Sequence, residues 1–144
     1  MTKRLLFLAC LSGAFAVIFG AFGAHILKKI LSETDLATFK TGVDYQFYHT
    51  FAILMAAMMS RYASKKWTNI AGWLFVFGIL FFSGSLYLLS TAYAFDFEFL
   101  KPLLGPVTPI GGLLFIGGWL ALFFAATTYK SRGGSHHHRS SKKQ

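Results

Sequence analysis

The chain predicts an all-α fold, a four-helix transmembrane bundle with both termini cytoplasmic. Three observations lead there. Hydrophobic residues make up 55% of the 144 residues and aromatic ones 18%, while charged residues reach only 13%, against about 25% in soluble domains. The apolar residues fall into four runs, each close to the roughly 20 residues needed to cross a hydrocarbon core about 30 Å thick. The charges are sorted between those runs. All five acidic residues, Glu33, Asp35, Asp44, Asp96 and Glu98, fall around the first and third gaps, whereas most basic residues sit at the N-terminus, in the second gap and in the tail.

The expected spans are residues 5–27, 43–63, 67–91 and 108–129, within one membrane domain over 1–130. Ten basic residues lie on the side of the termini and the second gap: Lys3, Arg4, Arg61, Lys65, Lys66, Lys130, Arg132, Arg139, Lys142 and Lys143. Four lie on the other side, Lys28, Lys29, Lys40 and Lys101. The positive-inside bias then orients both ends toward the cytoplasm. The net charge of +9 does not argue for nucleic acid, because the basic residues flank apolar runs, where anionic lipid head groups are the natural partner. The first run is too long for a signal-peptide h-region and reads as a span rather than a cleaved leader. A lone cysteine, Cys10, excludes an internal disulfide and any cysteine-based metal site.

The gaps carry their own signals. Ser32-Glu33-Thr34-Asp35 sets a hydroxyl three residues before a carboxylate, a helix start, and only Gly42 interrupts helix formers between Leu36 and Ala63. That helix would be about 40 Å long. Phe95-Asp96-Phe97-Glu98-Phe99 alternates rings and carboxylates, as befits a segment at the membrane interface. The tail, 131–144, is rich in Gly, Ser, His and Lys and is expected to be disordered. Its His136, His137 and His138 have nothing to fix a metal-binding geometry, so no metal and no cofactor is expected.

Helical periodicity sorts the faces. In the first run Ala9, Gly13, Ala16, Gly20 and Ala24 share a stripe, which suits close helix packing. Gly42, Gly84 and Gly118 are expected to pack in the same way in the other three runs. In the second run Thr38, Gly42, Tyr45, His49, Ala52, Ala56 and Ser60 share a face with Gln46 at its edge. Tyr45, Gln46 and His49 therefore form a polar cluster at membrane depth, with Ser83 and Ser85 of the third run as expected partners. Polar groups there need partners and are candidate functional sites. His49 has two readings: a neutral imidazole bonded between helices, or a proton-handling or ligand-binding residue. His25 and Asp44 form a second candidate motif near the outer face. Asp44 stands about 140° from His49 on the wheel, which argues against a direct pair. A haem held between His25 and His49 would need both rings at one depth, and their depths differ by about 10 Å.

No phosphate loop, catalytic carboxylate pair, HExxH or nucleophile elbow occurs, so the chain is not expected to be an enzyme. Two functions lead, helix-mediated association with itself or with a membrane complex, and a small-solute or proton transporter or channel at the His49 cluster; a haem or quinone protein is a third.

Gly20-Ala21-Phe22-Gly23-Ala24-His25, Phe39-Lys40-Thr41-Gly42-Val43-Asp44-Tyr45-Gln46-Phe47-Tyr48-His49, Ser83-Gly84-Ser85-Leu86-Tyr87 and Thr108-Pro109-Ile110-Gly111-Gly112 resemble the uncharacterised small multi-pass membrane protein family, of the DUF/UPF class, that includes YwdK-like and YgdD-like bacterial proteins. The resemblance covers nearly the whole chain up to Tyr129. It implies a bacterial inner-membrane protein of four helices, supplies no activity, and draws attention to His25, Asp44, Tyr45, Gln46 and His49.

Overall fold

A computed structural model describes residues 2–130; the tail expected to be disordered lies outside them. Among the described residues every regular element is helical. Four long helices dominate: α1 (Thr2–His25), α2 (Glu33–Met59), α3 (Lys65–Thr91) and α4 (Val107–Thr127). A short turn, Leu27–Lys29, follows α1, and two more, Glu98–Leu100 and Lys101–Leu104, precede α4.

The start of α2 follows from its sequence. Ser32 is extended and its hydroxyl oxygen accepts from the Asp35 N–H at 3.1 Å. The same hydroxyl donates to the Asp35 carboxylate at 2.7 Å, and Glu33 and Asp35 lie favourably at the positive end of the helix dipole. Before α4 the chain turns at Asp96, whose φ of 56° places a non-glycine residue in the left-handed region, one that aspartate tolerates better than most.

Among the described residues, three helical stretches are long and apolar enough to cross a membrane: Thr2–Lys29, Lys65–Thr91 and Glu98–Thr127. The second expected span is not among them, although α2 is continuous and 27 residues long, about 40 Å. Asp44, Gln46, His49 and Thr50 dilute its hydropathy. Gln46, His49 and Thr50 are buried against the other helices, so the protein supplies the partners that hydrocarbon lacks.

Helix α1 lies along α2, α3 lies along α4, and α2 touches α3. Glycines make the closest approaches. The Phe75 ring of α3 covers Gly118 of α4, and the Phe115 ring of α4 covers Gly78 of α3, so each helix inserts a ring into a notch on the other. Leu5 fills the notch at Gly72 in the same way. At Gly111 the approach is backbone to backbone: an added Cβ would stand 2.3 Å from the Phe82 nitrogen. That contact falls on a single π-helical turn in α3, Ile79–Ser83, where the Gly84 N–H reaches back to the Ile79 carbonyl.

The inward stripe of α1 is rotated from the expected one. Leu5, Ala9, Ala16 and Gly23 are buried, Gly13 and Gly20 sit at the edge, and Ala24 faces outward. Gly84 also departs from expectation, since nothing lies within 4 Å of a Cβ built there. A Cβ added at Gly42 would stand 2.9 Å from the Tyr87 ring, and one at Gly118 would stand 2.5 Å from the Phe75 ring.

The charge sorting becomes a two-ended molecule. At one end the Thr2 and Ser60 hydroxyls meet at 3.0 Å, the Ser64 N–H donates to the Thr128 hydroxyl at 2.8 Å, and the Lys130 N–H donates to the Tyr62 carbonyl at 2.8 Å. This end carries Lys3, Arg4, Arg61, Lys65, Lys66 and Lys130. The opposite end carries Glu33, Asp35, Asp96 and Glu98, together with the exposed rings of Tyr93, Phe95 and Phe99.

Candidate functional site

The polar residues of α2 form two clusters rather than one. Gln46 and His49 lie about 60° apart around a regular helix, and that angle turns them toward different neighbours.

Gln46 is 4% exposed and joins three helices. Its Nε2 donates to the Ser12 carbonyl of α1 at 2.8 Å, and its Oε1 accepts from the Tyr87 hydroxyl of α3 at 2.7 Å. One turn later the Thr50 hydroxyl donates to the Gln46 carbonyl at 2.8 Å and meets the Ser12 hydroxyl at 2.8 Å. Since the Thr50 proton is committed to the carbonyl, Ser12 donates to Thr50.

His49 turns toward α4. Its Nδ1 lies 2.8 Å from the Tyr45 carbonyl, which can only accept, so Nδ1 carries the hydrogen. Nε2 then accepts from the Trp119 indole N–H at 3.3 Å. The ring stacks on Phe115 with centroids 3.5 Å apart and planes 7° from parallel. Both nitrogens are thus satisfied by a neutral imidazole.

The remaining candidates disperse. Ser83 and Ser85 do not reach His49. Ser85 donates to the Phe82 carbonyl at 2.9 Å and meets the Thr108 hydroxyl of α4 at 2.7 Å, which ties the two helices together. The Ser83 hydroxyl is fully buried and has no hydrogen-bond partner. Tyr45 is partly exposed and stacks on Phe82 at 4.6 Å rather than joining the Gln46 network. His25 ends α1 and, like Asp44, is exposed. Among the described residues no group of three or more His, Cys, Asp or Glu side chains could hold a metal ion.

Four partners escaped the sequence reading: Ser12, Thr50, Tyr87 and Trp119. Thr50 lies four residues after Gln46, a spacing that puts both on one face and was a usable signal. Nothing local in Ser12, Tyr87 or Trp119 announces a partner on another helix.

Helices with apolar outer surfaces, buried polar groups that all but Ser83 bond within the protein, and charge gathered at the two ends define a small helical membrane protein. The chain belongs to the DUF423 family, described as a protein of unknown function, whose profile matches residues 19–112. A "UPF0382 membrane protein" of Staphylococcus epidermidis is 41% identical over 127 residues, covering 88% of this chain and 98% of that protein. The "UPF0382 inner membrane protein YgdD" of Escherichia coli K12 is 36% identical over 134 residues, covering 92% and 97%. The resemblance seen in the His25, His49, Ser83 and Thr108 motifs is therefore real kinship. No solved structure matches the chain.

Proposed function

We propose that the chain is a four-pass protein of the bacterial inner membrane, with both termini cytoplasmic, that acts without catalysis through helix association with a second copy or a membrane complex. The unpartnered face of α1 carries this reading. Only 17% of its apolar stretch is buried within the protein, against 39% for α3. Cys10, Ala14, Ala21 and Ala24 line up on that outward face around Val17, and small residues at such spacing allow a neighbouring helix to approach closely. The basic end that unites the termini with the α2–α3 turn supports the orientation. The relatives' names support the membrane.

Cys10 makes the association testable, because a disulfide forms only when the Cα atoms come within about 7 Å. Oxidative cross-linking in native membranes is expected to give a band of dimer or complex size. That band should vanish in Cys10→Ser and weaken severalfold in Ala14→Leu and Ala21→Leu. A protein that stays monomeric and partnerless, under photo-cross-linking as well, would sink the proposal. The competing reading, transport of a proton or small solute at His49, draws no support from a ring whose two nitrogens are occupied and whose face is closed by Phe115.

A further inference from the structure

A cavity of about 360 Å³ opens sideways between α1 and α3, with Gln46 and Ile53 of α2 as its floor. Its mouth is framed by Leu11, Phe15 and Leu80, which are exposed on the outer surface. Along α1 it runs from Leu8 to Phe19, about 16 Å of helix. That is about half the thickness of a hydrocarbon core, the length that the chains of one leaflet fill. Spread over that length, the cavity has a section of about 20 Å², roughly a quarter of that of a helix about 10 Å across. It admits one hydrocarbon chain and not a neighbouring helix.

The cavity requires nothing polar of what fills it. No charged side chain lines it, and its polar residues, Ser12, Gln46 and Tyr87, are bonded to one another. The Gln46 amide donates to the Ser12 carbonyl and accepts from the Tyr87 hydroxyl. Gly84 marks the space left over. Gly42, Gly72, Gly78, Gly111 and Gly118 each have a ring, a leucine or backbone pressed against them, whereas Gly84 lines the cavity and has open space. Glycine is unfavourable in a helix interior, and no packing within the chain offsets that at Gly84. A chain lying against it would.

Charge stands at the foot of the same seam. Arg4, Leu8, Leu11 and Phe15 follow one another at helical spacing along a single stripe of α1. A second, open groove meets the cavity at Leu8 and is lined by Lys3, Arg4 and Trp73. Both cations are exposed, and among the described residues no acidic side chain stands at this end to neutralise them. A guanidinium matches paired phosphate oxygens, basic pockets between membrane helices suit anionic head groups, and tryptophan suits the border between hydrocarbon and water. A cationic foot and a hydrocarbon slot above it complement the two halves of one amphiphile. We propose that this seam binds an anionic diacyl phospholipid, its phosphate at Arg4 and Lys3, its glycerol beside Trp73, and one acyl chain lying past Leu8 and Leu11 to Gly84.

The test uses the full chain in detergent, titrated with dioleoylphosphatidylglycerol or dioleoylphosphatidylcholine and read by native mass spectrometry. One saturable adduct is expected, with the anionic lipid held at least about fivefold more tightly than the zwitterionic one. The paired substitution Lys3→Gln and Arg4→Gln should erase that preference, whereas Lys130→Gln, at the same end but off the seam, should keep it. Gly84→Leu fills the cavity and should weaken both lipids about tenfold. Leu80→Trp obstructs the mouth and should do the same if Gly84→Leu fails to fold. Equal retention of the two lipids, or a loss in Lys130→Gln as large as in the paired substitution, would overturn the proposal. Adducts that survive both cavity substitutions would also overturn it. So would oleate that binds as tightly as the anionic lipid, or inorganic phosphate that displaces that lipid at equal concentration, since each shows that one half of the seam binds alone. None of these readouts depends on whether Cys10 cross-links or on which way the chain crosses the membrane.

Discussion

The partners of His49 dictate its chemistry. A carbonyl on Nδ1 and an indole N–H on Nε2 require one bound proton and no charge. His49→Phe should keep the stack on Phe115 and leave the Trp119 N–H without an acceptor. We expect a loss of about 1–2 kcal/mol in unfolding from bicelles. The double variant with Trp119→Phe should reveal a coupling of about 0.6 kcal/mol, the usual size for hydrogen bonds between membrane helices. A coupling of zero would mean that the 3.3 Å contact contributes nothing. Gln46 offers a comparison. Gln46→Leu removes bonds to two helices at once and should cost about 1–3 kcal/mol by the same measurement. The sequence singled out both residues from their apolar surroundings. It could not separate them, because a helical wheel places Tyr45, Gln46 and His49 on one broad face and is silent about which neighbour each part of that face meets.

Among helical elements, α3 holds the sharpest contrasts. Its glycines look alike in sequence and play opposite parts. Gly78 receives the Phe115 ring, while Gly84 faces empty space. Gly84→Ala should therefore raise thermal stability in detergent by up to about 1 kcal/mol, the helix-propensity difference. Gly111→Ala on α4 should lower it by about 1–3 kcal/mol, since its Cβ would stand 2.3 Å from the Phe82 nitrogen and the backbones would have to separate. The same sign for both would contradict the packing described. The π-helical turn at Ile79–Ser83 had no visible sequence signal. It adds a residue to one turn and so rotates everything after it relative to a 3.6-residue wheel. Expectations for Ser83, Gly84 and Ser85 rested on residue type alone; the structure pairs Ser85 with Thr108 and leaves Gly84 uncovered. By contrast, the Ser32 cap of α2 was legible, because capping depends on residues within one turn of each other.

At the scale of the molecule, charge and hydropathy set the expectations. The two-ended arrangement predicts that single cysteines in a Cys10→Ser background report sidedness. A membrane-impermeant maleimide applied from outside should label Glu98→Cys and Glu33→Cys and should miss Ser64→Cys until the membrane is opened. Labelling of Ser64→Cys in intact cells would refute the orientation. Hydropathy alone would have given three crossings, since α2 falls short. It falls short because a sum over one segment counts Gln46, His49 and Thr50 as if they faced lipid, whereas they are buried against the other helices.

The helical class, the membrane setting, the start of α2 and the sorting of charge to two ends were all legible in the amino-acid order. Each of these depends on composition or on residues within a turn of one another. The tertiary structure decided which polar groups pair, that Gln46 and His49 serve different helices, which glycines seat a ring, and where a lateral cavity is left open. Those outcomes depend on the rotation and depth of one helix relative to another, set by contacts such as Phe75 on Gly118 and Phe82 on Gly111. No single segment encodes that relation; it arises only when four of them compete for the same interior.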